Sequence, residues 1–271
     1  IMIKVCIIGA GGRMGKRLVN LILDSEDFSL IGATEIPGSG LIGQDAGLVA
    51  GTKAAGIKIS DSIEKSLNNA DVMIDFSTSN VVENAKIANS LGVAAVIGTT
   101  GLDERAKSDL EKIAKDGGKI VYATNMSVGI NVLLNICKEL AHLLSEDYDI
   151  EVVEMHHRNK KDAPSGTALS LAEALCEGSA ISMENCIFGR KGLTGIRPKK
   201  EIGIHALRGG DVVGDHTVIF ATDGERIELT HRASNRDAFA KGALRAARFI
   251  KNAKPGFYNM QDVLGLKKLY K

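Results

Sequence analysis

The sequence predicts an α/β chain in two parts: a parallel sheet flanked by helices, then an α+β part with a mostly antiparallel or mixed open sheet. Three observations carry this. The apolar run Lys4-Val5-Cys6-Ile7-Ile8 meets the glycine turn Gly9-Ala10-Gly11-Gly12-Arg13-Met14-Gly15, and helical spacing follows at Leu18, Leu21 and Ile22. Strand-like and helix-like runs then alternate to residue 123, the pattern of a parallel sheet with right-handed crossovers. Beyond Lys200 come three strand-like runs, Ile202 to Arg208, His216 to Thr222 and Glu225 to Ala233, with Asp223-Gly224 as a hairpin turn.

The opening strand, turn and helix form the start of a Rossmann-like dinucleotide-binding unit, with glycines spaced as Gly9-x-x-Gly12-x-x-Gly15. Glycines let a pyrophosphate approach the backbone at a helix N-terminus, and Arg13 adds charge to that cradle. A glycine turn alone would also suit an ordinary tight turn. The second strand, Phe28 to Thr34, ends at Glu35, placed to accept hydrogen bonds from the adenosine ribose. Ile36 offers no cation for a 2′-phosphate, which favours NADH, while Arg13 keeps NADPH open. Gly38 to Ile59 is weakly patterned, and Asp61 with Glu64 has capping-box spacing ahead of a short helix. Strands at Val72 to Phe76, Ala94 to Ile97 and Ile120 to Ala123 complete the sheet. Ligands of such sheets bind at the carboxyl ends of the strands, where Phe76, Gly98, Thr99, Thr100, Ala123, Thr124, Asn125 and Met126 lie as cofactor contacts.

After Asn125 an amphipathic helix runs through Ile130, Leu133, Cys137, Leu140 and Leu144. The strand Ile150 to Val153 leads into His156-His157-Arg158-Asn159-Lys160-Lys161. Pro164-Ser165-Gly166-Thr167 follows and opens a helix, with Ser165 as its cap. Imidazoles, lysines and the N–H groups of Gly166 and Thr167 suit a small anion whose reaction moves protons. A solvated basic loop is the plain alternative. Gly189 to Lys200 reads as a mobile, solvated loop, and His205, His216 and His231 as structural. The helix Ala238 to Ile250 would return to the first sheet. The dinucleotide-binding domain is then discontinuous, residues 1–126 and 237–271, with the second domain at 127–236.

Composition narrows the function classes. The 271 residues carry 34 basic and 33 acidic side chains, net +1, and 4% aromatics without Trp, so neither a nucleic-acid nor a membrane partner is expected. The four cysteines have no metal-ligand spacing, no metal is expected, and a cytoplasmic, reduced setting follows.

The chain resembles the 4-hydroxy-tetrahydrodipicolinate reductase (dihydrodipicolinate reductase) family over essentially its full length. The likeness rests on the glycine turn, Asp75-Phe76-Ser77, Gly98-Thr99-Thr100-Gly101, Asn125 to Asn131, Glu154 to Leu169 and Gly210 to Thr217. It implies an oxidoreductase that reduces a small dicarboxylate ring with NADH or NADPH in lysine biosynthesis. It implies His156 as acid/base residue and Lys160 as proton donor, with His157, Lys160, Gly166 and Thr167 on the substrate carboxylates. The cofactor residues it implies are Gly9 to Met14, Glu35, Gly98 to Thr100 and Ala123 to Met126. It further implies a homotetramer joined through the second domain. Met126 stands where the family often has Phe, and Ile36 where users of the phosphorylated cofactor carry Arg. The competing readings are another two-domain amino-acid dehydrogenase, such as an aspartate dehydrogenase, and a non-enzymatic NADH-binding regulator. Neither explains the long basic loop.

Overall fold

The computed structural model describes residues 2–266; Ile1 and residues 267–271, assigned above to the ends of the first domain, lie outside the described residues. Packing divides the chain into two compact units, one running to Val128 and resuming at Arg236, the other Gly129–Asn235.

The first unit begins β1 (Ile3–Ile8), α1 (Arg13–Leu23), β2 (Phe28–Thr34), α2 (Ala46–Val49), α3 (Ile63–Leu67) and β3 (Val72–Asp75). It continues with α4 (Val81–Ser90), β4 (Ala94–Ile97), α5 (Glu104–Lys115) and β5 (Lys119–Tyr122). The second unit holds most of α6 (Val128–Leu144), then β6 (Asp149–His156), α7 (Gly166–Ser179), β7 (Cys186–Phe188), β8 (Ile202–Arg208), β9 (Asp215–Thr222) and β10 (Glu225–Arg232). The chain returns through α8 (Asp237–Asn252), β11 (Gly256–Tyr258) and α9 (Met260–Leu264).

The first sheet has the order β11-β5-β4-β3-β1-β2, and every pairing is parallel. Its inner strands β3 and β4 are buried on both faces, which is why Val72 to Ile74 and Ala94 to Ile97 read as unbroken apolar runs. One face packs Val5, Ile7, Ile74 and Val96 against Leu18 and Ile22 of α1 and Ala243 and Ala247 of α8. The other packs Met73, Ala95 and Ile97 with Ala85 of α4 and Leu110 of α5.

The second sheet has the order β10-β9-β6-β8-β7. It is mixed: β6 and β7 run parallel to β8, whereas β9 is antiparallel to β6 and β10 to β9. Along β6, Ile150, Val152, Glu154 and His156 are buried, and the intervening residues face the other way. Ile150, Val152 and Phe220 meet Cys137 of α6 and Leu171 and Leu175 of α7.

Several local expectations change. The Gly38–Ile59 stretch is organised by Asp45, whose carboxylate accepts the N–H groups of Gly47, Leu48, Ala55 and Gly56 and starts α2. Ser62, one residue after the expected Asp61, caps α3. The expected mobile loop after Gly189 is tethered. Arg190 pairs with Glu151 and Glu201, and Arg197 with Asp149 and Glu151. His205 Nε2 lies 2.8 Å from Glu151 as well. Burial would push the Glu151 carboxyl up, but the hydrogen bonds from Arg190, His205 and Arg197 outweigh it and hold it at about 2.

Candidate active site

The first unit presents a pocket at the carboxyl ends of β1, β2 and β3, lined by Gly9, Gly12, Glu35, Ile36, Asp61 and Ser77 among others. The turn is shaped by contact. Gly9 has φ +72°, a conformation side chains disfavour. A Cβ on Gly15 would overlap the Gly9 carbonyl oxygen and lie 2.7 Å from Ala10 Cα, so α1 sits tight against the turn. Ala10 is buried in the core beneath, and Met14 packs at its edge. Gly12, the N-cap of α1, supplies no side-chain cap, which leaves the first amides of the helix for an anion. Arg13 is exposed beside them.

Glu35 Oε1 accepts the Gly11 N–H at 2.8 Å, which ties the acid to the turn. The exposed side chain of Ile36 flanks the acid. A backbone that admits close approach, helix amides without a side-chain cap and an acid at the end of β2 fit a dinucleotide.

Below the pocket, Asp75 is wholly buried, accepting from Ser77 N–H at 2.7 Å and Asn84 Nδ2 at 2.8 Å. Burial raises its pKa, the two hydrogen bonds opposing. Burial first, and the nearby Asp75 second, push Cys6 up to about 12, so it is an inert core thiol. Gly98 is required where it stands, because a Cβ there would overlap the Phe76 ring. Thr99 Oγ1 donates to Ser77 O at 2.7 Å, and Thr100 is exposed at the same edge. Ala123 and Asn125 are half-buried and Thr124 is exposed. Met126 differs from the rest: its side chain is 1% exposed and lies in the core, so only its backbone is left to meet a cofactor.

In the second unit the basic loop is built on β6. Glu154 is fully buried and accepts four hydrogen bonds. His156 Nδ1 is at 2.6 Å, the Ser165 N–H at 3.0 Å, and the two terminal Arg208 nitrogens at 2.8 and 2.9 Å. Burial would raise the Glu154 pKa, but Arg208, His156 and Ser165 together lower it. His156 is lowered as well, chiefly by burial, with Glu154 pulling the other way. Lys160 Nζ pairs with Asp162 at 2.9 Å. Ser165 Oγ accepts the Ala168 N–H and caps α7, as expected. Gly166 is exposed with open space around its Cα, and His157 and Thr167 are half-buried.

The structure therefore brings His156, Lys160 and the start of α7 into one loop. It also brings in residues not picked out above as site residues. His216, read above as structural, sits edge-on to the His156 ring at 5.2 Å, with Nε2 3.2 Å from Ser165 Oγ. Burial first, then the neighbouring His156, push His216 down to about 4. β6 runs beyond the expected end at Val153 to His156, and this extension puts Glu154 and His156 on one face of the strand. Arg208 carries no local clue, since it reaches Glu154 only through the β6–β8 register.

Comparison with known proteins agrees with both halves. The family profile for the dihydrodipicolinate reductase N-terminus matches residues 3–126, and that for its C-terminus residues 129–264. The 4-hydroxy-tetrahydrodipicolinate reductase of Myxococcus xanthus is 50% identical, covering 98% of this chain and 99% of that one. The enzyme of that name from Methanocaldococcus jannaschii is 49% identical, covering 99% of each. Among solved structures, the dipicolinate-bound dihydrodipicolinate reductase of Paenisporosarcina sp. TG-14 shares the fold with a TM-score of 0.76. It is 23% identical and covers 97% of this chain and 99% of its own. Matched in both halves and along nearly its whole length, the chain belongs to the dihydrodipicolinate reductase family.

Proposed function

We propose that this chain reduces 4-hydroxy-tetrahydrodipicolinate to tetrahydrodipicolinate in the diaminopimelate route to lysine, one hydride and one proton being added and the 4-hydroxyl leaving as water, with the loop around Lys160 as its substrate site. Family membership carries the activity. The observation supporting the site is the placement of His156, Lys160 and the α7 N-terminus on one loop.

The dinucleotide supplies a hydride when bound. Gly9, Ala10, Gly11, Gly12, Arg13 and Met14 hold its phosphates, and Glu35 its adenosine ribose. Gly98, Thr99, Thr100 and the backbone from Ala123 to Met126 line the remainder. Among the described residues Glu35 Oε2 meets only the long 3.3 Å contact from the Ile36 N–H, and it is available to ribose hydroxyls. With Ile36 rather than a cation beside it, NADH is preferred to NADPH.

Negative charge builds on the substrate ring as it is reduced, and a nearby cation that can release a proton lowers that barrier. Lys160 is the proton donor. It must leave Asp162 to meet the substrate, whose carboxylate replaces that partner. The Gly166 and Thr167 N–H groups at the positive end of α7 take a carboxylate, with His157 beside them. His156 acts as acid/base through Nε2. The chain assembles as a homotetramer through the face of the second sheet carrying Val153, Met155, Leu207 and Ile219, all at least partly exposed.

The test is NADH consumption with substrate generated in situ, beside NADH binding alone. Turnover that Lys160→Ala removes while NADH binding persists is expected. Binding without turnover in the parent chain would overturn the reading.

A further inference from the structure

We infer that Glu154 is the positioning residue of the second unit: its buried carboxylate accepts a hydrogen bond from His156 Nδ1–H and, through Arg208, holds the loop that carries Lys160. This rests on the reading that His156 and Lys160 act on the substrate.

All the groups around Glu154 except the imidazole are obligate donors: one backbone N–H from Ser165 and two guanidinium nitrogens from Arg208. The carboxylate is therefore ionised and can only accept, so the neutral His156 ring must carry its proton on Nδ1, 2.6 Å away. That leaves Nε2 bare. Nε2 faces Gly214, where a Cβ would lie 3.0 Å from it, so the glycine keeps its approach open.

Arg208 extends the arrangement. Beyond Glu154 its terminal nitrogens donate to the carbonyls of Leu207 and Asp162, each at 2.6 Å. Asp162 in turn holds Lys160. A chain of polar contacts thus joins the two candidate catalytic groups, passing from Arg208 to the main-chain carbonyl of Asp162, with Glu154 the fully buried anion in it. The groups facing His156 are Glu154 on its own strand, Arg208 from β8, His216 from β9 with His231 behind it, and Lys160 from the loop. Stability alone does not call for such an ion pair, since well-packed apolar residues often replace one without loss. Orientation does call for it.

The experiment is nitrogen-15 NMR of histidine-labelled full-length protein, with His156→Gln to assign the ring, alongside kcat and KM for Glu154→Gln. In the wild type near neutral pH the His156 proton is expected on Nδ1. Glutamine keeps the shape but places an NH2 among donors. Of its partners only the imidazole can become an acceptor, so the proton moves to Nε2. Turnover should then fall by about 10²-fold, the scale of one well-placed proton-transfer group, with KM nearly unchanged. A wild-type ring protonated on Nε2 overturns the proposal and requires no variant to fold. So does a Glu154→Gln protein in which tautomer and kcat do not change together. If His156→Gln keeps wild-type kcat, the acid/base reading of His156 fails instead, whatever the tautomer.

Discussion

Gly15→Ala isolates what close packing of α1 contributes to the cofactor turn. Gly15 lies inside α1 with ordinary helical backbone, so alanine should favour the helix by about 1 kcal/mol. Its Cβ, however, would lie 2.7 and 2.8 Å from Ala10 Cα and carbonyl carbon, and would overlap the Gly9 oxygen. These are backbone atoms and cannot swing aside. Carbon contacts relax near 3.5 Å, so α1 must withdraw by roughly 1 Å. Overpacking of this kind costs about 1–3 kcal/mol, which offsets or exceeds the helical gain. The withdrawal also pulls the first amides of α1 off the turn, and a loss of about 1.4 kcal/mol there weakens NADH tenfold. Fluorescence titration of NADH and thermal melts would read both effects. Gly40→Ala is the control, because its Cβ meets open space. An unchanged melt with unchanged NADH affinity in Gly15→Ala would refute the packing argument.

Ile36→Arg should raise NADPH use relative to NADH in kcat/KM by adding the missing cation; no change in the ratio would show that this position does not discriminate. Lys160→Ala and His156→Ala should each lower kcat by about 10²-fold, and a defect confined to KM would limit these residues to binding. His216, about 4 when folded against about 6.5 unfolded, takes up its proton first in the unfolded chain. Its contribution is therefore complete above pH about 6.5 and is lost as pH falls towards 4, up to about 3 kcal/mol. Urea unfolding at several pH values should show a flatter acid slope for His216→Gln, and an identical slope would refute this.

The parallel half was readable because each of its signals is local. A glycine turn follows β1, Glu35 ends β2, and unbroken apolar runs mark strands buried on both faces. The parts that escaped depend on contacts distant in sequence. Asp45 organises its loop by reaching Ala55 and Gly56, and no periodicity announces that. β7 and β11 are only three residues each, too short for a period to emerge. At the site, the histidines and Lys160 stand out by composition. Glu154 lies one residue past the strand expected at Ile150 to Val153, and its meaning comes from Arg208 across the parallel pairing with β8. Met126 lies in the core because α8 returns to cover it, with Gly242 packed against its carbonyl, a contact more than a hundred residues away in sequence.

β6 carries acids of opposite destination three residues apart, Glu151 toward one face and Glu154 toward the other. Sliding the strand by a single position would send Glu154 and His156 outward, strand the Arg208 guanidinium and turn Glu151 into an apolar interior. Ordinary amphipathic strands guard their alignment with greasy side chains alone. Here electrostatics proofreads it too, so a chain that pairs β6 wrongly has little reason to stay that way.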